Sequence, residues 1–324
     1  MKRYITFDDI IDIYSRLNQR GSQFLLSKLN LNQRERTKSA FDSTAIHSSN
    51  WWMIPMVKER WNSKINGNPH QNYRHYMMET FFKEFKGLKL LSLGSGSCGH
   101  EMELAKYPQF EQITCVDLAQ NRLDEAQDEA EKKKLNNMNF VCADIENFDF
   151  QSEYYDIVLF NSSLHHFENV DQLLKTQIKS TLKKEGHLVI NEYVGATRLQ
   201  FPKYQIQAIR KAIQLIDKPY RKRFKTHFYK NTFYGSGLIR MIMADPSECI
   251  DSSSIIPSLH KHFNIKIEKE LGGNILMNAL KDIAHHFIEP NERQKEILLQ
   301  LFNFEDAYLK EHPSDFIFGI YQNK

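Results

Sequence analysis

Apolar residues recur along this chain in two rhythms. Five short blocks between residues 90 and 193 are nearly continuous: LLSL closing at Leu93, ITCV at Val116, NFVC at Cys142, YDIVLF at Phe160 and HLVI at Ile190. Brief, rich in β-branched residues and bounded by polar ones, they read as strands of an open parallel sheet covered on both faces. HFNIKIEKEL (262–271) alternates apolar and polar residues and predicts a sixth strand, and DFIFGIYQN (315–323) supplies a last one. Elsewhere the spacing is helical. Residues 4–30 place Ile10, Ile13, Tyr14 and Leu17, then Phe24, Leu25 and Leu29, at amphipathic spacing, ahead of a polar stretch, LNQRERTKSAFDST. YQIQAIRKAIQLI (204–216), ILMNALKDIAHHF (275–287) and ERQKEILLQLFNFEDAYLK (292–310) predict further helices.

The first block runs directly into Gly94-Ser95-Gly96-Ser97-Cys98-Gly99 and then a helix-like segment. A strand that opens through glycines onto a helix makes a nucleotide-binding turn, because glycine lets the backbone approach a ligand while free N–H groups face it. Asp117 follows about twenty residues on, where a ribose-binding acid is expected. Asp144 and Asn161 stand at or near the ends of the next two blocks, on the edge where open sheets bind ligands.

In this ordered series, residues 88–193 resemble the class I S-adenosylmethionine-dependent methyltransferases, with a weaker echo toward the C-terminus. The resemblance implies an α/β fold: a doubly wound, mostly parallel seven-stranded Rossmann-like sheet with an N-terminal helical region and a helical cap inserted after strand 5. Residues 1–84 would form the helical or lid region, 85–196 with 263–324 the cofactor-binding core, and 197–262 the cap that forms the substrate pocket. S-adenosyl-L-methionine is the implied cofactor. Its methionine and ribose part would meet Gly94, Ser95, Gly96 and Gly99, its ribose hydroxyls Asp117 with Leu118 alongside, and its adenine Asp144 and Ile145. Asn161, Ser162 and His165 would approach the methionine end. Two positions depart from the family pattern. Ser92 replaces the usual acid and Cys98 the usual third glycine, which weakens the implied contact to the cofactor's amino group.

Composition narrows the class without changing it. Hydrophobic residues make up 41% and charged ones 26% of 324 residues, as in soluble globular proteins. The net charge of +3, from 43 basic and 40 acidic residues, gives no global field that calls for nucleic acid or a membrane. Cys98, Cys115, Cys142 and Cys249 show no CxxC spacing and read as reduced thiols of a cytoplasmic protein. Asp8, Asp9 and Asp12 interrupt the apolar N-terminus, so it predicts neither a signal peptide nor a membrane span.

Methyl transfer asks the protein to hold a nucleophile in line with the reactive methyl for an SN2 displacement, and a hydroxyl or amine acceptor must also lose a proton. His166, Glu192 and His227 are the candidate bases, Glu192 foremost because it ends strand 5. Tyr204, Arg223 and Tyr234 are candidate contacts to a small or medium organic acceptor, whose accepting atom (O, N or C) stays open. Lys218, Arg221, Lys222, Arg223, Lys225 and Lys230 form a run without acids. It suggests an anionic acceptor, or alternatively RNA or protein, or merely a solvated face. With Gly235-Ser236-Gly237 as hinge, this stretch is expected to move as a lid. Trp51, Trp52 and Trp61 read first as core anchors, with Asn72, Tyr73 and Arg74 as possible cofactor contacts under a lid reading. The pairs His165-His166 and His285-His286 lack metal-ligand spacing, and no metal is expected. An NAD-dependent oxidoreductase would need a second cofactor half that the chain does not display. A scaffold that binds S-adenosylmethionine without catalysis would be expected to have lost the glycines or Asp117.

Overall fold

Ile157, Val158, Leu159 and Phe160 are all shut off from solvent, as a continuous apolar block in a sheet covered on both faces must be. In the computed structural model, which describes residues 2–20, 49–145 and 148–324 and the first stretch's side chains as far as Tyr14, they lie in β4 (Tyr155–Asn161). The other strands are β1 (Leu88–Leu93), β2 (Phe110–Asp117), β3 (Met138–Cys142), β5 (Leu182–Tyr193), β6 (Phe263–Gly272) and β7 (Phe316–Asn323). Their order is β3-β2-β1-β4-β5-β7-β6. The β1–β2, β2–β3, β1–β4 and β4–β5 pairs are all parallel. Strand order reverses between β1 and β4, the switch point where chains diverge and leave a crevice at the C-terminal edge. The register, Ser92 opposite Cys115 and Leu159, and Asn161 opposite Asn191, brings the tips of β1, β2, β4 and β5 to that edge.

The chain divides into two compact units. The sheet unit comprises Gln71–Val194, Cys249–Lys269 and Ile317–Lys324. Its core joins Leu91, Val158, Phe160 and Ile190 to Leu259, Phe263 and Tyr321.

The second unit gathers the described residues of Met1–His70, Gly195–Glu248 and Glu270–Phe316. Trp51 and Trp61 pack edge to face with ring centroids 5.5 Å apart, and both meet Phe316, at 5.7 and 5.2 Å. They are anchors within this unit, as large aromatics usually are. The helix α1 (Phe7–Arg20) confirms the first part of the N-terminal prediction, whereas Phe24, Leu25, Leu29 and the polar stretch 31–44 lie outside the described residues. Residues 275–287 do not form one helix. They give Leu276–Leu280 and a 3-10 turn at Ala284–Phe287, because Asp282 between them takes a left-handed conformation at φ +68° and accepts Arg223 Nη1 at 2.5 Å.

The basic run is partly internal. Arg223 and Lys230 are 5% and 2% exposed. Arg223 pairs with Asp282 and, at 3.8 Å, with Asp8. Lys230 Nζ donates to the carbonyls of Asn278 and Lys281. Burial, helped by the neighbouring Arg223 charge, pushes the Lys230 pKa down to about 7. A neutral amine keeps two N–H donors, so both carbonyl bonds survive deprotonation. The unfolded chain binds this proton up to an ordinary lysine pKa near 10.5, so between about pH 7 and 10.5 it holds more protons than the folded chain and stability rises with pH. Urea denaturation of wild type and Lys230→Met should therefore diverge across this window. Wild type gains up to about 1.4 kcal/mol per pH unit relative to the variant. Parallel pH curves for the two proteins would dismiss a buried titrating amine.

The expected hinge glycines serve a contact. Asp8 Oδ2 accepts the N–H groups of Tyr234 and Gly235, and Asp9 Oδ1 accepts those of Gly237 and the Arg240 side chain. A Cβ at Gly237 would stand 1.9 Å from Asp9 Oδ2. Gly237 is thus the place where α1's carboxylate reaches the backbone.

Candidate active site

Gly94, at φ +70°, turns the chain out of β1 while its N–H donates to Val116 O at 2.8 Å. The glycine turn thereby rests on β2, and Asp117 at the end of β2 clasps it. Asp117 Oδ2 accepts Gly96 N–H at 2.7 Å, and Oδ1 accepts Ala119 N–H at 2.9 Å. A carboxylate with main-chain donors on both oxygens is held in one orientation. Leu118 beside it is exposed. Asp144 and Ile145 follow β3 on the same edge, Asp144 half-buried and Ile145 packed into the sheet core.

Ser92 donates to Glu101 Oε1 at 2.6 Å. The carboxylate absent from the strand is thus present from the following helix (Gly99–Leu104), and burial raises its pKa. Sequence reading missed Glu101, although its spacing from Ser92 was visible. It also missed Asn191. At the β4 and β5 tips, Asn161 Oδ1 accepts both Tyr73 Oη at 3.1 Å and Asn191 Nδ2 at 2.9 Å. Asn191 Oδ1 is buried with no hydrogen-bond partner among the described residues, a cost of about 1–3 kcal/mol unless a ligand's donor meets it. Tyr73 Oη also contacts His100 Nδ1 at 3.0 Å, which Arg74 approaches at 2.7 Å. Burial and the Arg74 charge lower the His100 pKa to about 4, so the ring is neutral and accepts. Asn72 caps the helix Tyr73–Thr80.

Glu192 stands at the tip of β5, where its sequence reading put it. Its carboxylate is buried. Oε2 accepts Ser163 N–H at 2.8 Å and Leu164 N–H at 2.6 Å, while Oε1 accepts Tyr193 N–H at 2.7 Å and meets His165 Nδ1 at 2.5 Å. These four partners fasten the β4 exit to the β5 tip. His165 is mostly buried, with the half-buried His166 ring 4.2 Å from its own. Ser162, at φ +53°, forms the bend, and its N–H donates to Asn191 O.

The remaining candidates belong to the second unit. His227 is exposed. Tyr204 is half-exposed and stacks on His312 at 4.5 Å, and Tyr234 meets Phe7 edge-on, with the Arg210 guanidinium over its ring. Arg223 is committed to Asp282, which leaves Lys218, Lys222 and Lys225 as the exposed charges of the run.

Comparison with known proteins agrees with this geometry. The family profile described as "Methyltransferase domain" matches residues 84–270, more than half of the chain. A ubiquinone biosynthesis O-methyltransferase of Coxiella burnetii is 24% identical over 200 residues, 62% of this chain and 78% of the relative. A malonyl-[acyl-carrier protein] O-methyltransferase of Bacillus cereus is 29% identical over 112 residues, 35% of this chain and 40% of that one. Among solved structures, the [4+2]-cyclase SpnF superposes with a TM-score of 0.50 at 15% identity, covering 90% of this chain and 96% of the cyclase. That likeness concerns the fold, which hosts more than one reaction.

Proposed function

The chain belongs to the methyltransferase domain family, and from that premise we propose that it binds S-adenosyl-L-methionine and methylates a small or medium organic acceptor. The observation that carries this reading is the Asp117 clasp, a glycine turn held open beside a carboxylate with fixed orientation. Its donor and acceptor set suits the cofactor. Glycines form the turn, Asp117 would hold the ribose hydroxyls, and the orphaned Asn191 Oδ1 offers an acceptor to an ammonium or hydroxyl. When bound, the cofactor supplies an electrophilic methyl on a sulfonium.

What the chain's own residues add is proton removal. Facing a carboxylate, His165 carries its proton on Nδ1, so Nε2 is the basic nitrogen. In this reading His165 is the general base and Glu192 the residue that positions it. The base suits an acceptor that surrenders a proton as the methyl arrives, such as a hydroxyl or an amine. Two of the relatives are O-methyltransferases by name, which supports an oxygen acceptor. His166, His227 and the free carboxylate role of Glu192 yield to this pair.

Calorimetric titration with S-adenosylmethionine and S-adenosylhomocysteine, with NAD as control, tests the cofactor. Asp117→Ala should weaken binding by roughly 1.5–3 kcal/mol, about ten- to 150-fold, since it removes a charge-assisted contact. Unaltered affinity in a folded variant would rule out the assigned ribose site.

A further inference from the structure

The helix α1 is turned inside out for a soluble protein. Its acids face inward: Asp9 and Asp12 are buried, paired with Arg240 at 2.7 and 3.3 Å, and Asp12 also meets Lys281 at 2.8 Å. Among its described side chains, Phe7, Ile10, Ile13 and Tyr14 face out. Tyr4, Ile5, Phe7, Ile10, Ile13 and Tyr14 are between 42% and 71% exposed. At about 100° per residue, Phe7, Ile10 and Tyr14 share one face and Asp9 and Asp12 the opposite one.

The apolar surface continues beyond the helix. Phe7 meets Tyr234, Tyr14 meets Phe228 at 5.3 Å, and Ile239 N–H donates to Tyr4 O. Tyr234, Phe228 and Ile239 are themselves more than 40% exposed. An exposed apolar face this continuous, rich in tyrosine and phenylalanine, marks an interaction surface. Exposed lysines border it. Lys222 pairs across a bridge with the exposed Tyr229, Lys225 lies over Phe224 in the same loop, and Lys2 precedes Tyr4.

We propose that this face docks on an anionic phospholipid surface, with α1 lying in the interface plane. Charge decides between occupants. The helix's acids are paired internally with Arg223, Arg240 and Lys281, whereas Lys2, Lys222 and Lys225 are exposed beside its apolar residues. Two copies meeting through this face would set lysine against lysine, whereas anionic headgroups complement them. Aromatic rings with a polar tip suit the headgroup boundary, and lysine stems reach past it. No helix among the described residues is long and apolar enough to cross a membrane, and an interfacial helix needs neither property. The proposal stands apart from the methyl-transfer reading.

Flotation with phosphatidylcholine vesicles, with and without phosphatidylglycerol, tests it on the full chain. The protein should float with the anionic vesicles. The double variant Ile5→Glu/Ile10→Glu should partition at least about tenfold less, since it removes apolar area and adds repulsion. Lys222→Glu/Lys225→Glu should lose the preference for phosphatidylglycerol. Unfolding midpoints close to wild type in both variants establish that the fold is intact. Failure of the wild type to float, or equal flotation of the Ile5/Ile10 variant, overturns the proposal. So does a lipid-free dimer in light scattering that the Ile5/Ile10 variant dissolves, which assigns the face to a second copy.

Discussion

Replacing Glu192 by Gln is expected to lower the rate of methyl transfer by about 10²–10⁴-fold while S-adenosylhomocysteine affinity stays within about twofold. The amide oxygen must remain where Ser163 and Leu164 donate, which puts the NH₂ group opposite Tyr193 N–H and His165 Nδ1. The imidazole then accepts at Nδ1 and carries its proton on Nε2, so the basic nitrogen is gone with little change in shape. His165→Ala should give a comparable loss. Because both substitutions act on proton removal, kcat should fall with little change in the cofactor's KM. Turnover of Glu192→Gln at the wild-type rate would show that the pair only fastens the β4 exit.

The second large effect concerns Gly94. An added Cβ would sit 2.7 Å from Ser163 Cβ, an atom fixed to the backbone, and φ is +70°. The left-handed conformation costs about 1–2 kcal/mol for alanine, and overpacking about 1–3 kcal/mol more. Gly94→Ala should thus lose about 2–5 kcal/mol of stability, or reopen the turn and lose cofactor affinity by about tenfold or more. Gly99→Ala is the matched control. Nothing lies within 4 Å of its Cβ and its φ is not positive, so stability should change by under about 0.5 kcal/mol. Equal losses from both substitutions, in thermal unfolding and calorimetry, would contradict this division between the glycines.

That contrast shows where the sequence was legible. The fingerprint treats Gly94, Gly96 and Gly99 alike, but steric demand differs at each, and a spacing rule carries no information about Ser163. The strands were readable because buried strands are locally apolar. Asp117 was readable because it ends one of them. Glu192 was located correctly at the tip of β5, yet its engagement depends on N–H groups from Ser163, Leu164 and Tyr193 converging, and backbone donors leave no trace in residue type. Asn191 was passed over because its orphaned oxygen exists only once Asn161 has taken its NH₂ group. Within the basic run, the burial of Arg223 and Lys230 was not legible for a related reason. The run's neutralising acids are remote in sequence: Asp8 lies 226 residues from Tyr234, whose N–H it accepts, and Asp282 lies 59 residues from Arg223. A local window sees six cations and no acids.

Strand β7 has a consequence for synthesis of the chain. It lies between β5 and β6 in the sheet although it follows both in sequence, so β6 has no neighbour on the β5 side until the ribosome has passed Asn323. The carboxylates of α1 wait nearly as long, since Arg223, Arg240 and Lys281 are all made more than two hundred residues later. During translation β5 therefore presents an open hydrogen-bonding edge while α1 displays both its charged and its apolar faces. The nascent protein is most vulnerable to misassociation between the synthesis of β5 and that of β7, and chaperone dependence should concentrate in that interval.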